Sequence, residues 1–449
     1  MIDPIPAQPA PTLPVDVTLE RRLGPLDAAA IVVSNVIGSG IFFVPIIVAQ
    51  MVPHPGWMLS LWLAGGALAL VGAMAYAELA AVRPHAGGEY VYLRDAYGPL
   101  AAFLTGWTSF VAGFSGAVAA NAVALADSVT RFVPAAANAK QLIAVSAIAL
   151  LTLIHVRGLG PGRLVQNFLA GLKVTALVLI IAFGFAIGNG DAANLSTAAG
   201  AVTPLPWLLA LVPVMFSYSG WNAAAYVAEE VRNPTRNVPL ALALGTTAVI
   251  VLYVGLNALY LFAMPIVELR GVSFGRLLDT VADRLFGFAT GDLLAVFTIV
   301  SLAASISAMV LAGPRVYFAM ARDGIFVRAA GRIHPRFHTP ATAIVAQAVW
   351  SCVLVLSGTL SQLVNYTGFA VVLFAGIAVS CIFPLRRRGR GTPPFSAFGY
   401  PWAPAIFVVA SALMVGNAFW REPIPTTVGA GLIALGVPVY FLFRSTRRS

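Results

Sequence analysis

The chain has 449 residues, 59% hydrophobic and only 10% charged, with a mean hydropathy of +0.87. Soluble domains carry about 25% charged residues, so a water-soluble enzyme is excluded and a polytopic membrane protein is indicated. The net charge of +10 does not point to a nucleic-acid partner, because the basic residues are distributed among alternate loops rather than gathered in one domain.

Residues 1–18 carry Pro4, Pro6, Pro9, Pro11 and Pro14 and no apolar run. They cannot serve as a secretory signal and are expected to form a disordered cytoplasmic tail. A bilayer core about 30 Å thick needs roughly 20 apolar residues per helix. Twelve segments approach this, at 28–51, 57–80, 100–131, 141–156, 164–188, 204–229, 238–264, 291–320, 341–359, 361–384, 402–420 and 426–443. The predicted fold is therefore an all-α polytopic membrane protein with twelve transmembrane helices, called spans one to twelve below.

Span one is interrupted where the sequence reads NVIGSGIF, from Asn35 to Phe42. Each interior glycine costs a helix about 1 kcal/mol relative to alanine, so Gly38 and Gly40 require a compensating role. Close packing of helices is one such role. A break that serves as a binding site is another, and its place depends on topology, which the basic loops give. Arg83, Arg94, Arg157, Arg232, Arg322 and Arg386 to Arg388 share one side with most of the other basic residues, and far fewer, such as Lys140 and Arg270, fall on the opposite side. This is the positive-inside pattern for an even number of spans, which puts both termini in the cytoplasm. The run RRRGR at 386–390 suits an anchor beside acidic lipid head groups.

Spans one to five and six to ten are two groups of five that enter the membrane in opposite directions, which permits an inverted repeat. Span six is the counterpart of span one, and it also breaks, at Phe216-Ser217-Tyr218-Ser219-Gly220-Trp221-Asn222. Matching interruptions in two halves point to a transporter substrate site. Unwound backbone in a membrane exposes N–H and C=O groups that need partners. A zwitterion supplies both kinds: its carboxylate would meet the N–H groups near Gly40, its ammonium the carbonyls ending the preceding half-helix and those of Phe216 and Ser217. An α-amino acid fits this description.

These residues resemble the L-type amino acid transporters and their prokaryotic relatives in the amino acid, polyamine and organocation superfamily. The similarity is carried by IGSGIF at 37–42, AYAELAAVRPHAGGEYVYLRDAYGPLAAFLTGW at 75–107, FSYSGWNAAAYVAEEVRNPTRNVPLA at 216–241 and PRVYFAMARDG at 314–324, within roughly residues 20–385. The resemblance implies a leucine-transporter-type 5+5 inverted repeat with discontinuous helices one and six, plus two additional helices. Residues 19–190 would form the first repeat, 200–385 the second and 400–445 the added pair. It places Ser39, Gly40 and Ile41 at the substrate carboxylate, Phe216 as the outer gate and Ser219 beside the substrate side chain; Ile37 and Gly38 of the first break and Ser217 of the second complete the expected substrate site. Eukaryotic members couple to a heavy chain through a cysteine after span three. The corresponding loop, about 132–140, has none, and Cys352 and Cys381 lie within spans, so no disulfide-linked heavy subunit is expected.

Lys173 lies in span five, nine residues beyond Leu164, roughly 14 Å deep and near the bilayer midplane. A cation there needs partners or a function. Carbonyls of span one and the hydroxyl of Ser305 in span eight are the expected partners. The position resembles that of the lysine which, in the family, replaces a bound sodium ion, implying sodium-independent transport. A permanent charge fits exchange or uniport, a titrating one proton-coupled symport; the L-type character of span six favours exchange. Acidic residues are absent from spans one, three, six, eight and ten at mid-depth, which favours neutral substrates.

Asn121, Asp127, Asn257 and Asn365 suit either a pathway or helix–helix hydrogen bonds. The histidines, His155 among them, read as solvated loop residues without metal-ligand spacing, and no metal or cofactor is implied. No HExxH or G-x-S-x-G motif is present, so catalysis is not expected. An amino acid sensor would need an output domain, for which the tails are short. The sequence therefore predicts a transporter of neutral L-amino acids in the cell (inner) membrane, with the amino acid and the lipid bilayer as its partners.

Overall fold

The structure, a computed structural model, describes residues 19–445 apart from 274–275, 288–290, 359, 390–391 and 422. The tail at 1–18 therefore lies outside the described residues. The chain is helical throughout, and among the described residues the only extended pairing is an isolated parallel bridge between Leu23 and Val231. Among the described residues eight helices are long and apolar enough to cross a membrane, and they fall at spans two, three, five, seven, eight, ten, eleven and twelve. Four shorter apolar helices, Pro25–Val36, Lys140–Val156, Pro204–Tyr218 and Ala341–Ser357, fall at spans one, four, six and nine.

Prolines set several of the starts. Pro25, Pro55, Pro99, Pro204, Pro234, Pro314 and Pro423 each open a helix, where a missing N–H costs nothing and the fixed φ is already helical. The interruptions fall where glycine and serine cluster. Span one runs as Pro25–Val36, a short 3-10 turn at Gly40–Phe42 and a second half, Val44–Met51. Span six stops at Tyr218 and resumes as the single turn Ala223–Tyr226. Span three carries a π-helical turn at Ser109–Gly113, a local widening often found at functional sites.

The broken spans sit at the centre. Span seven, Pro234–Ala263, lies along span two and the first half of span one, while span eight, Gly291–Ala312, lies along spans three and five. Spans eleven and twelve, Trp402–Arg421 and Pro423–Ser445, pack on the outside against spans ten and three. Large apolar side chains such as Leu413, Trp420, Ile424 and Leu442 remain exposed there, as a lipid-facing surface requires.

One end of the bundle is tied by arginine–carboxylate pairs. Arg315 grips Glu230 with Nε–Oε1 at 2.7 Å and Nη2–Oε2 at 3.0 Å, both side chains about 1% exposed. Arg322 holds Glu229 and Arg94 holds Asp323. Arg386, in the basic run read as a lipid anchor, instead holds Glu78 with both contacts at 2.5 Å, and Arg388 donates to the carbonyl of Asp95 at 3.1 Å. His155 also departs from expectation. It lies in the last turn of Lys140–Val156, 2% exposed, with Nε2 2.8 Å from Ser307 Oγ; the ring turns inward against span eight instead of into solvent.

The Glu230–Arg315 pair gives a stability prediction. Glu230→Gln should lower the melting temperature of the detergent-purified protein, because it leaves a buried guanidinium uncompensated at a cost of about 3–5 kcal/mol. The double substitution Glu230→Gln with Arg315→Met should melt above that single variant.

Candidate functional site

The two interruptions meet. A Cβ on Gly40 would lie 2.9 Å from Ser217 Oγ and 3.2 Å from Ser217 Cα, so only glycine lets the backbones of spans one and six approach this closely. Gly220 has φ +100°, a conformation side chains resist, and its Cβ would press on the Asn35 carbonyl at 3.0–3.1 Å. Each break therefore depends on glycine at the contact with the other.

A cavity opens at this contact. Its walls include Gly38, Ser39 and Gly40 from span one and Phe216, Ser217, Ser219 and Gly220 from span six. The expected site residues Gly38, Ser39, Gly40, Phe216, Ser217 and Ser219 are thus brought together. Ile37 and Ile41 are fully buried beside the cavity rather than lining it. Phe216 also lies against Phe43 of span one, ring centroids 6.3 Å apart.

The exposed backbone has a sharp polarity. On the acceptor side, Lys173, 0% exposed, donates from Nζ to the Ile37 carbonyl at 2.5 Å, to Ser305 Oγ at 2.9 Å and to the Ser34 carbonyl at 3.4 Å. Ser305 Oγ lies 2.8 Å from the same Ile37 carbonyl. Tyr253 Oη of span seven lies 2.9 Å from the Val36 carbonyl and 3.0 Å from that of Ser217, so one hydroxyl serves both broken helices. The Phe216 carbonyl accepts the Ser219 N–H at 3.0 Å. On the donor side, the N–H groups of Ser39, Gly40 and Ile41 have no acceptor among the described residues. Two carbonyls expected to meet an ammonium, those of Phe216 and Ser217, thus already carry one hydrogen bond each, which leaves each a second lone pair.

Several further groups belong to the site. Asn121, which could have served only to join helices, lines the cavity with Asn35, Thr108, Ser109 and Met309. Asn35 Nδ2, Thr108 Oγ1, Asn121 Oδ1 and Ser217 Oγ are buried without a hydrogen-bond partner among the described residues, which is costly unless a ligand or water completes them. Glu89, from the helix Glu89–Tyr97 between spans two and three, also lines the cavity. No signal in the sequence singles out Tyr253 or the π-turn; the glycine pair before Glu89 marks a turn but not its destination. Asn365 lies outside the residues whose side chains are described.

Residues 23–443 match the amino acid permease family. The chain is similar to the cystine/glutamate transporter of Homo sapiens, 30% identical over 438 residues that cover 95% of this chain and 86% of that protein. It is similar to the serine/threonine exchanger SteT of Bacillus subtilis (strain 168), 28% identical over 439 residues covering 96% and 98%. It also resembles the large neutral amino acids transporter small subunit 2 of Homo sapiens, 29% identical over 447 residues covering 95% and 81%.

Lys173→Ala strips the cation from buried carbonyls, a loss of about 2–3 kcal/mol. Radioligand binding to the purified variant should weaken roughly 30- to 150-fold by the same reckoning, and unchanged binding would remove Lys173 from the site. Gly220→Ala should also lose affinity, since strain of about 1–3 kcal/mol falls on the contact between the two breaks.

Proposed function

The chain belongs to the amino acid permease family, and from that premise we propose that it exchanges neutral L-amino acids across the cell membrane by sodium-independent alternating access. The observation that carries this reading is the row of free N–H groups at Ser39, Gly40 and Ile41, in a break whose Gly38, Ser39 and Gly40 line the cavity. Three adjacent donors at the start of a turn suit a carboxylate. The spare lone pairs of Phe216 and Ser217 suit the α-ammonium. Head-group recognition by backbone leaves the side chain to Ser219, Asn121 and the π-turn of span three.

Lys173 fills the place of a coupling cation. Its ammonium is enclosed among two carbonyls and a hydroxyl, the oxygen-rich surroundings a sodium ion would require, so sodium is not needed to hold the broken helix. Phe216 closes the site from outside, and its contact with Phe43 brings together the two half-helices that must part for substrate to enter. The halves 19–190 and 200–385 act as inverted repeats that rock about the breaks, with 400–445 added at the periphery. Both termini face the cytoplasm of a multi-pass protein in the inner membrane, and the transporter works without a disulfide-linked heavy subunit.

Reconstitution tests this directly. Liposomes loaded with unlabelled amino acids should take up labelled neutral amino acids much faster than empty ones, equally well when sodium is replaced by choline. Uptake into empty liposomes driven only by an acid-outside gradient would replace exchange with symport.

A further inference from the structure

Three carboxylates are buried among the described residues: Glu78, Glu89 and Glu230, at 2%, 8% and 1% exposure. Glu78 is clamped by Arg386 and Glu230 by Arg315. Glu89 has no basic partner among the described residues. A buried carboxylate without a counter-charge is the costly case, and it is relieved by taking up a proton.

The surroundings of Glu89 are built and specific. Gly87 and Gly88 precede it with φ of +112° and +51°, and a Cβ on Gly88 would lie 2.7 Å from the Tyr226 ring. The glycine pair thus lets the start of the Glu89–Tyr97 helix press against the second piece of span six. Tyr76 Oη of span two donates to Glu89 Oε2 at 2.8 Å, and Asn222 Nδ2 lies 3.4 Å from the same oxygen and 2.9 Å from Tyr226 Oη. The Tyr226 hydroxyl lies close to the carboxylate as well. One side chain therefore joins span two, the short helix and the resumed half of span six, at a wall of the substrate cavity.

The charged and titratable groups nearby do not neutralise it. Tyr76 faces it from span two, Tyr226 from span six and Tyr92 from its own helix, and Cys381 lies in its field from the end of span ten. The basic residues of the adjoining segments are engaged elsewhere: Arg315 with Glu230, Arg322 with Glu229, Arg94 with Asp95 and Asp323, Arg386 with Glu78, and Arg388 with the carbonyls of Asp95 and Ala96.

We propose that Glu89 is a proton-binding site linked to closure of the cytoplasmic side of the cavity. With this side closed the carboxyl is dry and holds a proton. When the resumed half of span six moves away from span two and the Glu89–Tyr97 helix, water reaches the carboxyl and the proton leaves to the same side, so one proton is bound and one released per closing and opening. Burial pushes the Glu89 carboxyl above its usual range, against the tyrosine hydroxyls that pull it down. The sign follows. Closure is unpenalised below the ordinary carboxylate range, and the penalty grows as pH rises until the raised value is passed. The inference rests on the transport reading above but adds a site which that reading does not require.

The test is amino acid exchange in proteoliposomes at equal pH on both sides, from about pH 5 to pH 8, for the wild type, Glu89→Gln and Glu89→Asp. The wild-type rate should fall several-fold as pH rises; the Asp variant should keep a pH dependence with a shifted midpoint, and the Gln variant should lose it. A wild-type profile that is flat or rises with pH overturns the proposal whatever the variants do. A Gln variant with the wild-type profile overturns it too, as does one that loses only transport of cationic amino acids, which would make Glu89 a receptor for substrate side chains. Wild-type protein that exchanges no amino acid at any pH overturns the transport reading itself, and this proposal with it.

Discussion

The constraint on which the rest depends is that two helices are broken where water cannot complete their backbones. Unsatisfied amide groups in such surroundings cost several kcal/mol each, and the structure meets this cost on one side only. Lys173 and Ser305 converge on the Ile37 carbonyl, and Tyr253 spans the carbonyls of Val36 and Ser217. These donors come from spans five, seven and eight, so three neighbouring helices are fixed relative to the breaks by hydrogen bonds. The breaks are held open as a defined shape, and a lysine at the centre of the protein becomes a structural element.

In the proposed function, that one-sidedness is what selects a charge pattern. If the N–H groups of Ser39, Gly40 and Ile41 had been completed by side chains as the carbonyls are, the interruption would be a closed structural joint with nothing to bind. Left open, they form a cluster of donors beside the cavity. The packing agrees: glycine at 40 and 220 brings the two backbones together, leaving no room for a side chain to reach in and take the place of a ligand. The tight contact and the open donors are two results of the same choice of residue.

Much of this was legible in the sequence, for reasons that can be assigned to particular residues. Glycine and serine clusters locate both breaks because helix propensity is lowest there, and Lys173 is conspicuous because a cation inside an apolar run demands an explanation. The partners that complete the site were less visible. Tyr253 lies in an apolar stretch, where a tyrosine reads as packing until its hydroxyl is placed. The π-turn at Ser109–Gly113 has no cue in its local sequence. Glu89 sits in a loop by hydropathy, and only the folding of its short helix back under the bundle carries it to the cavity. His155 and Arg386 illustrate the same limit: a polar residue near a span end can be solvated or engaged, and the local pattern is identical.

The carboxylates show how the molecule separates fixed joints from moving ones. Glu78 and Glu230 each accept two contacts from an arginine, a geometry that loses much if the partners part, because each separation strands a buried charge. Such pairs suit elements that travel together. Glu89 is held by neutral hydroxyls and an amide, contacts that water can replace at small net cost. An opening motion along the Glu89 seam, between span two with the Glu89–Tyr97 helix and the resumed half of span six, would part the half-exposed Arg94–Asp323 pair and the Gly87 N–H bond to the Tyr226 carbonyl, and leave the buried Glu78–Arg386 and Glu230–Arg315 clamps intact. The asymmetry that makes Glu89 expensive to bury as an anion also makes it the place where the bundle parts most easily.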